Sequence, residues 1–376
     1  MPRTLLWVVL ATHLHFASLY YLIPTLPVYA QALGGSSAQI GLINGIFSLT
    51  SLLVRPLCGA WIDRHGRRRF LVAGAVVYVV AALGYFWIRS VPVLLGWRAV
   101  HALGLASFGT AAASLAGDLA PPRRRGRTMG TFGLAQAAAL GVGPGIGRAL
   151  QAAAGDRGVF LAAAVTAAGA LGCSLAVPAA GAPPPRETPA PRAAGDAPRR
   201  RGTMGAAVLG QASASLAYGA VVSFVALVAR ERAFEGVGAF FLCLALTSLA
   251  VRVLAGRAYD AWGAPLVLPP ALLAVAAGLG LLAGARGPLA FLGAGALIGL
   301  GVGGTHTTLI AHAVDRAPAG RRASRVAGFT TLWEAGVGAG SILTGSLAEA
   351  LGFPGAFLVL AGAAVVALAS APALRR

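Results

Sequence analysis

Thr50-Ser51-Leu52-Leu53-Val54-Arg55-Pro56-Leu57-Cys58-Gly59 returns 197 residues later as Thr247-Ser248-Leu249-Ala250-Val251-Arg252-Val253-Leu254-Ala255-Gly256. At the same offset Asp63 meets Asp260, Gly66 meets Gly263, Gly104 meets Gly301, Asp118 meets Asp315 and Pro121 meets Pro318. Arg124-Arg125 then meets Arg321-Arg322, and Gly141 and Gly143 meet Gly338 and Gly340. About ninety residues align without insertion or deletion, which chance does not produce. The chain is two copies of one structural unit.

The composition says what kind of unit. Of 376 residues, 57% are hydrophobic and only 11% charged, with a mean hydropathy of +0.76. Soluble domains carry about 25% charged residues, so a water-soluble fold is excluded. The 52 glycines and 22 prolines sit inside long apolar runs, as they do in membrane helices. At about 20 apolar residues per crossing, twelve spans are expected: 5–30, 38–60, 70–89, 91–117, 127–151, 157–178, 205–229, 236–258, 265–285, 287–314, 323–348 and 353–373. The fold class is therefore an all-α membrane protein, with twelve transmembrane helices in two pseudo-symmetric six-helix bundles, 1–178 and 205–376. A proline- and arginine-rich linker, 179–204, joins them. Ala30-Gln31-Ala32 resembles a signal cleavage site, but the apolar stretch before it is too long and holds Pro24 and Pro27. Duplicated six-helix halves related by an axis along the membrane normal are a transporter architecture.

The net charge of +19 comes from 30 arginines and no lysine. Walker A ATPases, pyridoxal-phosphate Schiff bases and lysine nucleophiles are thereby excluded. With the N-terminus inside, 21 arginines fall in cytoplasmic segments, 6 in external ones and three, Arg55, Arg98 and Arg252, within spans. That bias is the positive-inside pattern and places both termini in the cytoplasm of a multi-pass plasma-membrane protein. The charge is topological, so nucleic acid is not a partner. Cys58, Cys173 and Cys243 lie in apolar segments without metal-ligand spacing and read as hydrophobic fillers.

Polarity has a period of three helices. Spans 3, 6, 9 and 12 are almost purely apolar and should face lipid. Spans 1, 4, 7 and 10 carry His13, His15, Tyr20 and Tyr21; Arg98, His101 and Ser107; Gln211, Ser213, Ser215 and Tyr218; and Thr305, His306, Thr307, Thr308 and His312. Polar groups in spans face a bundle interior or a wet cavity. His101 is one turn from Arg98 and can share a hydrogen-bond network with it. Neither His13 and His15 nor His306 and His312 share a helix face, so neither pair is a metal site by itself. Gly295, Gly299 and Gly303, like Gly143 and Gly147, recur every four residues and permit close helix contact.

Gly59-Ala60-Trp61-Ile62-Asp63-Arg64-His65-Gly66-Arg67-Arg68 resembles the G-x-x-x-D-R-x-G-R-R loop signature of the major facilitator superfamily. Asp118-Leu119-Ala120-Pro121 with the following Arg123-Arg124-Arg125-Gly126 resembles its motif after span 4, and Arg98 with Gly104 its intramembrane arginine motif. Gly141-Val142-Gly143-Pro144-Gly145-Ile146-Gly147 is similar to the span-5 motif of its drug:proton antiporters. The resemblance implies an inner gate in which Asp63 faces the start of span 11 and Arg64 or Arg67 pairs with an acid such as Asp118. The second copy keeps Asp260 but has Ala261, Ala264 and Pro265 where the arginines stood, so its latch should be weaker. A plain tight turn with solvated arginines is the competing reading.

Glu334 is the one acid well inside a span. It could exchange a proton as access alternates, or be a static partner of Arg98 or of a substrate cation. Many antiporters of the resembled family carry an acid in span 1, and this chain has none. The expected function is a secondary active transporter, a proton-coupled exporter of a small organic molecule, working by alternating access as a monomer. Glu334, Arg98, His101, His15, Tyr20, Tyr218 and His306 are the candidate proton or substrate contacts. A sugar or metabolite uptake porter of the same fold is the alternative. A membrane enzyme would need clustered catalytic groups, and no such motif, cofactor site or metal site is legible.

Overall fold

The computed structural model describes residues 3–120, 125–178, 201–316 and 322–370, without the side chains of 63, 125–127, 201–204 and 322–327. The helices are α1 Arg3–Leu22, α2 Thr25–Ala32, α3 Ser37–His65, α4 Arg67–Gly84, α5 Val91–Asp118, α6 Arg125–Leu175, α7 Arg201–Glu231, α8 Val237–Trp262, α9 Ala264–Gly284, α10 Pro288–Asp315 and α11 Arg322–Ser370. A short 3-10 turn, Tyr85–Trp87, follows α4. Among the described residues, ten helical segments are long and apolar enough to cross a membrane. Large side chains such as Leu53, Val165, Leu254 and Val366 stand exposed on them, a surface suited to lipid and not to water.

Two segments are far longer than one crossing. α6 has 51 residues and α11 has 49, which as straight rods would run about 75 Å, against a hydrocarbon core of about 30 Å. Each breaks at a glycine in the left-handed region: Gly155 at φ 65° and Gly352 at φ 68°. Those glycines are themselves 197 residues apart. Only a residue without Cβ takes that backbone cheaply, so the same turn is built at the same place in both copies.

The offset holds at five boundaries of the paired helices. α3 and α8 end at His65 and Trp262, α4 and α9 begin at Arg67 and Ala264, α5 and α10 run 91–118 and 288–315, and α6 and α11 begin at 125 and 322. The glycines between the first two pairs, Gly66 and Gly263, both have positive φ, 89° and 72°. Span 1 departs from the expected single helix. Pro24 has no N–H to donate, so the helix stops at Leu22 and restarts at Thr25. The Thr25 hydroxyl donates to the Tyr21 carbonyl (3.1 Å), supplying a partner there. α7 begins at Arg201, inside the stretch read as linker; 179–200 lie outside the described residues.

The chain divides into two compact units, Met1–Gly35 with Ile46–Arg186, and Ser36–Gly45 with Glu187–Arg376. The first ten residues of this α3 region thus cluster with the second unit. There Asn44 donates to the Ser223 hydroxyl (3.0 Å), Ser223 and Ser341 share a hydrogen bond (2.7 Å), and Ser341 donates to the Gly41 carbonyl (2.7 Å).

Within unit 1, α1 packs chiefly on α6 and α4 on α5; within unit 2, α7 packs on α11, and α8 and α9 on α10. Glycine sets the closest contacts. A Cβ on Gly104 would lie 2.7 Å from Tyr78 Cδ2 and 3.1 Å from the Gly74 carbonyl. Its copy Gly301 meets the Ala271 carbonyl and Val275 nitrogen at 2.6 Å, the repeat counterparts of Gly74 and Tyr78. The Gly295, Gly299, Gly303 stripe of α10 lies against the backbone of Phe240, Leu244 and Ser248 on α8, one turn apart on each helix.

The expectation that every third helix faces lipid needs correction. Half of the apolar window of α9 is buried, the same share as in α1 and α5, whereas α8 is the least buried at 33%. The reason is packing: Ala264, Leu268 and Leu272 of α9 close a core with Ala206, Ala207 and Leu309. Span 3 is not purely apolar in effect either, since the hydroxyl-bearing rings of Tyr78 on α4 and Tyr85 in the turn after it are wholly buried.

Candidate functional site

Unit 1 holds a buried polar cluster built on α1, α3, α4 and α5. Arg98 is 1% exposed. Its guanidinium carbon stands 4.0 Å over the Phe47 ring, a cation–π contact. Nη1 reaches Nδ1 of His101 (3.3 Å) and the Tyr85 hydroxyl (3.5 Å), and Tyr85 lies 2.9 Å from the same Nδ1. Arginine has only donors to offer. Tyr85 therefore accepts from Arg98 and donates to Nδ1, which places the imidazole proton of His101 on Nε2. His15, from α1, stacks on Phe108 (3.8 Å, 5°) and on Tyr78 (3.6 Å), and Tyr78 is 4.2 Å from His101.

This one stack leaves several polar atoms unused. Among the described residues, both ring nitrogens of His15, the Tyr78 hydroxyl and Nε2 of His101 have no hydrogen-bond partner. A buried polar group left unsatisfied costs about 1–3 kcal/mol, so four together mark a place with donor and acceptor capacity to spare. Tyr20 lies at the margin, its ring 6.2 Å from Phe16, which in turn is 5.9 Å from His15.

Unit 2 holds a different cluster. Gln211 Nε2 donates to Nδ1 of His306 (2.9 Å), and the Trp333 ring packs on His306 (4.9 Å) and Tyr218 (5.5 Å). Glu334, half-buried on α11, is the residue after Trp333. The repeat does not relate these clusters. The counterparts of His15, Tyr78, Tyr85, Arg98 and His101 are Ala212, Val275, Leu282, Gly295 and Ile298. Those of Gln211, His306, Trp333 and Glu334 are Leu14, Gly109, Gln136 and Ala137. Duplication copied the scaffold, and each copy acquired its own polar groups.

The motif residues sit at one end of unit 1. Arg67 Nη1 pairs with Asp118 Oδ2 at 2.6 Å; among the described residues Arg67 and not Arg64, which is exposed, makes this pair. Arg68 donates to the carbonyls of Val177 (2.5 Å) and Leu175 (2.9 Å), neutralising the negative end of α6. A Cβ on Gly59 would meet nothing within 4 Å, so that glycine is not required by packing in unit 1. The side chains of Asp63 and Arg125, and Arg123 and Arg124 altogether, lie outside the described residues. In unit 2 Asp260 is exposed, and Asp315, the counterpart of Asp118, accepts from the Tyr259 hydroxyl at 2.7 Å.

Phe47, Tyr78, Tyr85, Phe108 and Trp333 were not singled out from sequence. Their aromatic bodies look like core, and Tyr78 and Tyr85 belong to a span read as apolar. The available signal was that a tyrosine in an apolar helix must place its hydroxyl somewhere. Among the described residues no group of three or more His, Cys, Asp or Glu could hold a metal ion.

The sequence model of the Major Facilitator Superfamily matches residues 8–234 and 207–376. Among curated relatives, an MFS-type transporter of Methanocaldococcus jannaschii is 33% identical over 127 residues, 34% of this chain and 33% of that one. The multi-drug resistance efflux pump PmrA homolog of Lactococcus lactis is 32% identical over 149 residues, 39% of this chain and 36% of its own. The matched stretch thus spans about a third of the length of these relatives. A bacterial homolog of the lysosomal transporter Spinster, solved inward-facing, superposes with a TM-score of 0.77 at 18% identity, covering 99% of this chain and 96% of that one. A peptide transporter, POT, gives 0.79 at 15%, covering 100% and 94%. At such identities the likeness is one of fold.

Proposed function

The chain belongs to the major facilitator superfamily, and from that premise we propose that it exports a small organic molecule in exchange for protons, by alternating access. The observation that carries this reading is the pair of unlike polar clusters, Arg98–His101–Tyr85 buried in one unit and Gln211–His306–Trp333, buried at Gln211 and half-buried at its two rings, in the other. Polar and ionisable groups inside membrane helices are expensive to keep and mark a transport pathway. The similarity to a multidrug efflux pump favours export of an organic compound over uptake.

In this reading α6 and α11 each cross the membrane twice, so ten segments make twelve crossings, six in each half. Both termini are cytoplasmic, and the Arg67–Asp118 end of unit 1 lies on the cytoplasmic side, where Asp63, Arg64 and Asp118 serve an inner gate. The protein acts as a monomer. Glu334 takes up and releases the coupling proton, while Arg98, His101, His15, Tyr20, Tyr218 and His306 contact proton or substrate. Each charge moving down 100 mV yields about 2.3 kcal/mol, comparable to the cost of burying a charge at midplane.

The test is a panel of organic compounds offered to everted vesicles carrying the protein, with a pH-sensitive dye inside. A transported compound releases protons from the lumen as it enters. Compound uptake that proceeds with no proton release would remove the coupling. Flux in the opposite direction in intact cells would replace export with the uptake reading.

A further inference from the structure

Away from both polar clusters, unit 1 has a groove of about 380 Å³ lined by Leu83, Phe86, Trp87, Arg89, Arg157 and Leu161. It lies where α4 ends, α5 begins and α6 turns back at Gly155, the end opposite the Arg67–Asp118 pair. Two guanidinium groups from different elements border it. Nη1 of Arg89 donates to the carbonyls of Phe86 and Ile88, each at 3.2 Å, which ties one nitrogen of a groove-lining guanidinium down. Asp156, the acid beside Arg157, accepts from Gln151 at 2.6 Å. Among the described residues neither Arg89 nor Arg157 has a carboxylate partner.

Trp87 is 74% exposed at the same rim, and Leu83 and Leu161 are exposed on the helices leading away from it. A tryptophan whose ring stands clear of the protein at the end of a membrane helix sits at headgroup level. Two arginines beside it offer planar forks that match phosphate oxygens. The leucines continue the groove towards the hydrocarbon core. We propose that this groove binds an anionic phospholipid, its phosphodiester held by Arg89 and Arg157 against Trp87, and its acyl chains lying along Leu83 and Leu161.

The second copy provides an internal comparison. Arg89 has a counterpart in Arg286, but Trp87 and Arg157 correspond to Gly284 and Pro354. Unit 2 therefore lacks the second cation and the ring, and the site is confined to unit 1. The inference rests on membrane embedding and not on the direction or coupling of transport.

Native mass spectrometry of the full chain, released from micelles containing equal phosphatidylglycerol and phosphatidylcholine, tests it. One phosphatidylglycerol should be retained with about a tenfold preference. Arg89→Ala with Arg157→Ala should bring the two lipids near parity, and Arg286→Ala should leave the preference unchanged. A second measurement needs no arginine variant. In nanodiscs of phosphatidylglycerol with brominated chains, the emission lost in Trp87→Phe should be the strongly quenched part, compared with brominated phosphatidylcholine. Equal retention of both lipids by the wild type, a preference untouched by the double variant, displacement of the lipid by inorganic phosphate, or equal quenching by the two brominated lipids would each overturn the proposal.

Discussion

Arg67 and Asp118 join the first residue of α4 to the last residue of α5 through an ion pair of 2.6 Å. Arginine at a helix N-terminus opposes the helix dipole, as aspartate does at a C-terminus. Each is thus poorly placed on its own helix and relieved by the other. In the second copy Ala264 replaces the arginine, and the retained Asp315 takes a hydrogen bond from Tyr259. One acid position is kept and two different partners answer it.

The pair has 14% and 25% side-chain exposure, so screening limits its worth to about 1 kcal/mol. Arg67→Ala and Asp118→Asn should each lower thermal stability by that order. Combining them should cost no more than the worse single change. Thermal unfolding in detergent of the four proteins gives the coupling directly, and strict additivity would mean the contact contributes nothing.

Tyr85→Phe deletes the hydroxyl that bridges Arg98 and His101 while keeping the ring. Stability should fall by about 1 kcal/mol, and substrate flux should drop severalfold in protein that is inserted and folded. Leu282→Phe, at the repeat counterpart of Tyr85, serves as the comparison for altered shape at that position. Unchanged flux in Tyr85→Phe would detach the unit 1 cluster from transport.

Glu334→Gln keeps the shape of the side chain and removes its ability to carry a proton. Flux driven by an imposed pH gradient should vanish, while exchange of substrate at equal concentration and equal pH continues. Gradient-driven flux persisting in this variant would move the coupling group elsewhere, with His15 and His101 next in line.

Gly301 and Gly280 both lie in apolar helices, yet alanine should behave oppositely at the two. A Cβ at Gly301 meets backbone atoms of Ala271 and Val275 at 2.6 Å, whereas one at Gly280 meets nothing within 4 Å. Overpacking of this kind costs about 1–3 kcal/mol, so Gly301→Ala should lower the melting temperature by several degrees. Gly280→Ala should be neutral or slightly stabilising, through helix propensity. Equal melting temperatures would mean that α9 and α10 can part without penalty.

The amino-acid sequence by itself determined the duplication, the membrane class and most helix boundaries to within about five residues, because those depend on local properties: hydropathy over about 20 residues, glycine at a left-handed turn, proline at a helix start. The turns at Gly155 and Gly352 carry a signal of the same kind, since the two glycines are repeat counterparts. Tertiary structure alone decided which polar groups meet. His15, Phe47, Tyr78, Tyr85 and Arg98 come from four helices and the turn after α4, and a tyrosine hydroxyl in an apolar span does not reveal which neighbour it will find. The same holds for Arg67 choosing Asp118 and Arg68 choosing the end of α6. Contacts between side chains far apart in sequence depend on how whole helices settle against one another, and in both units glycine-to-backbone packing sets that register.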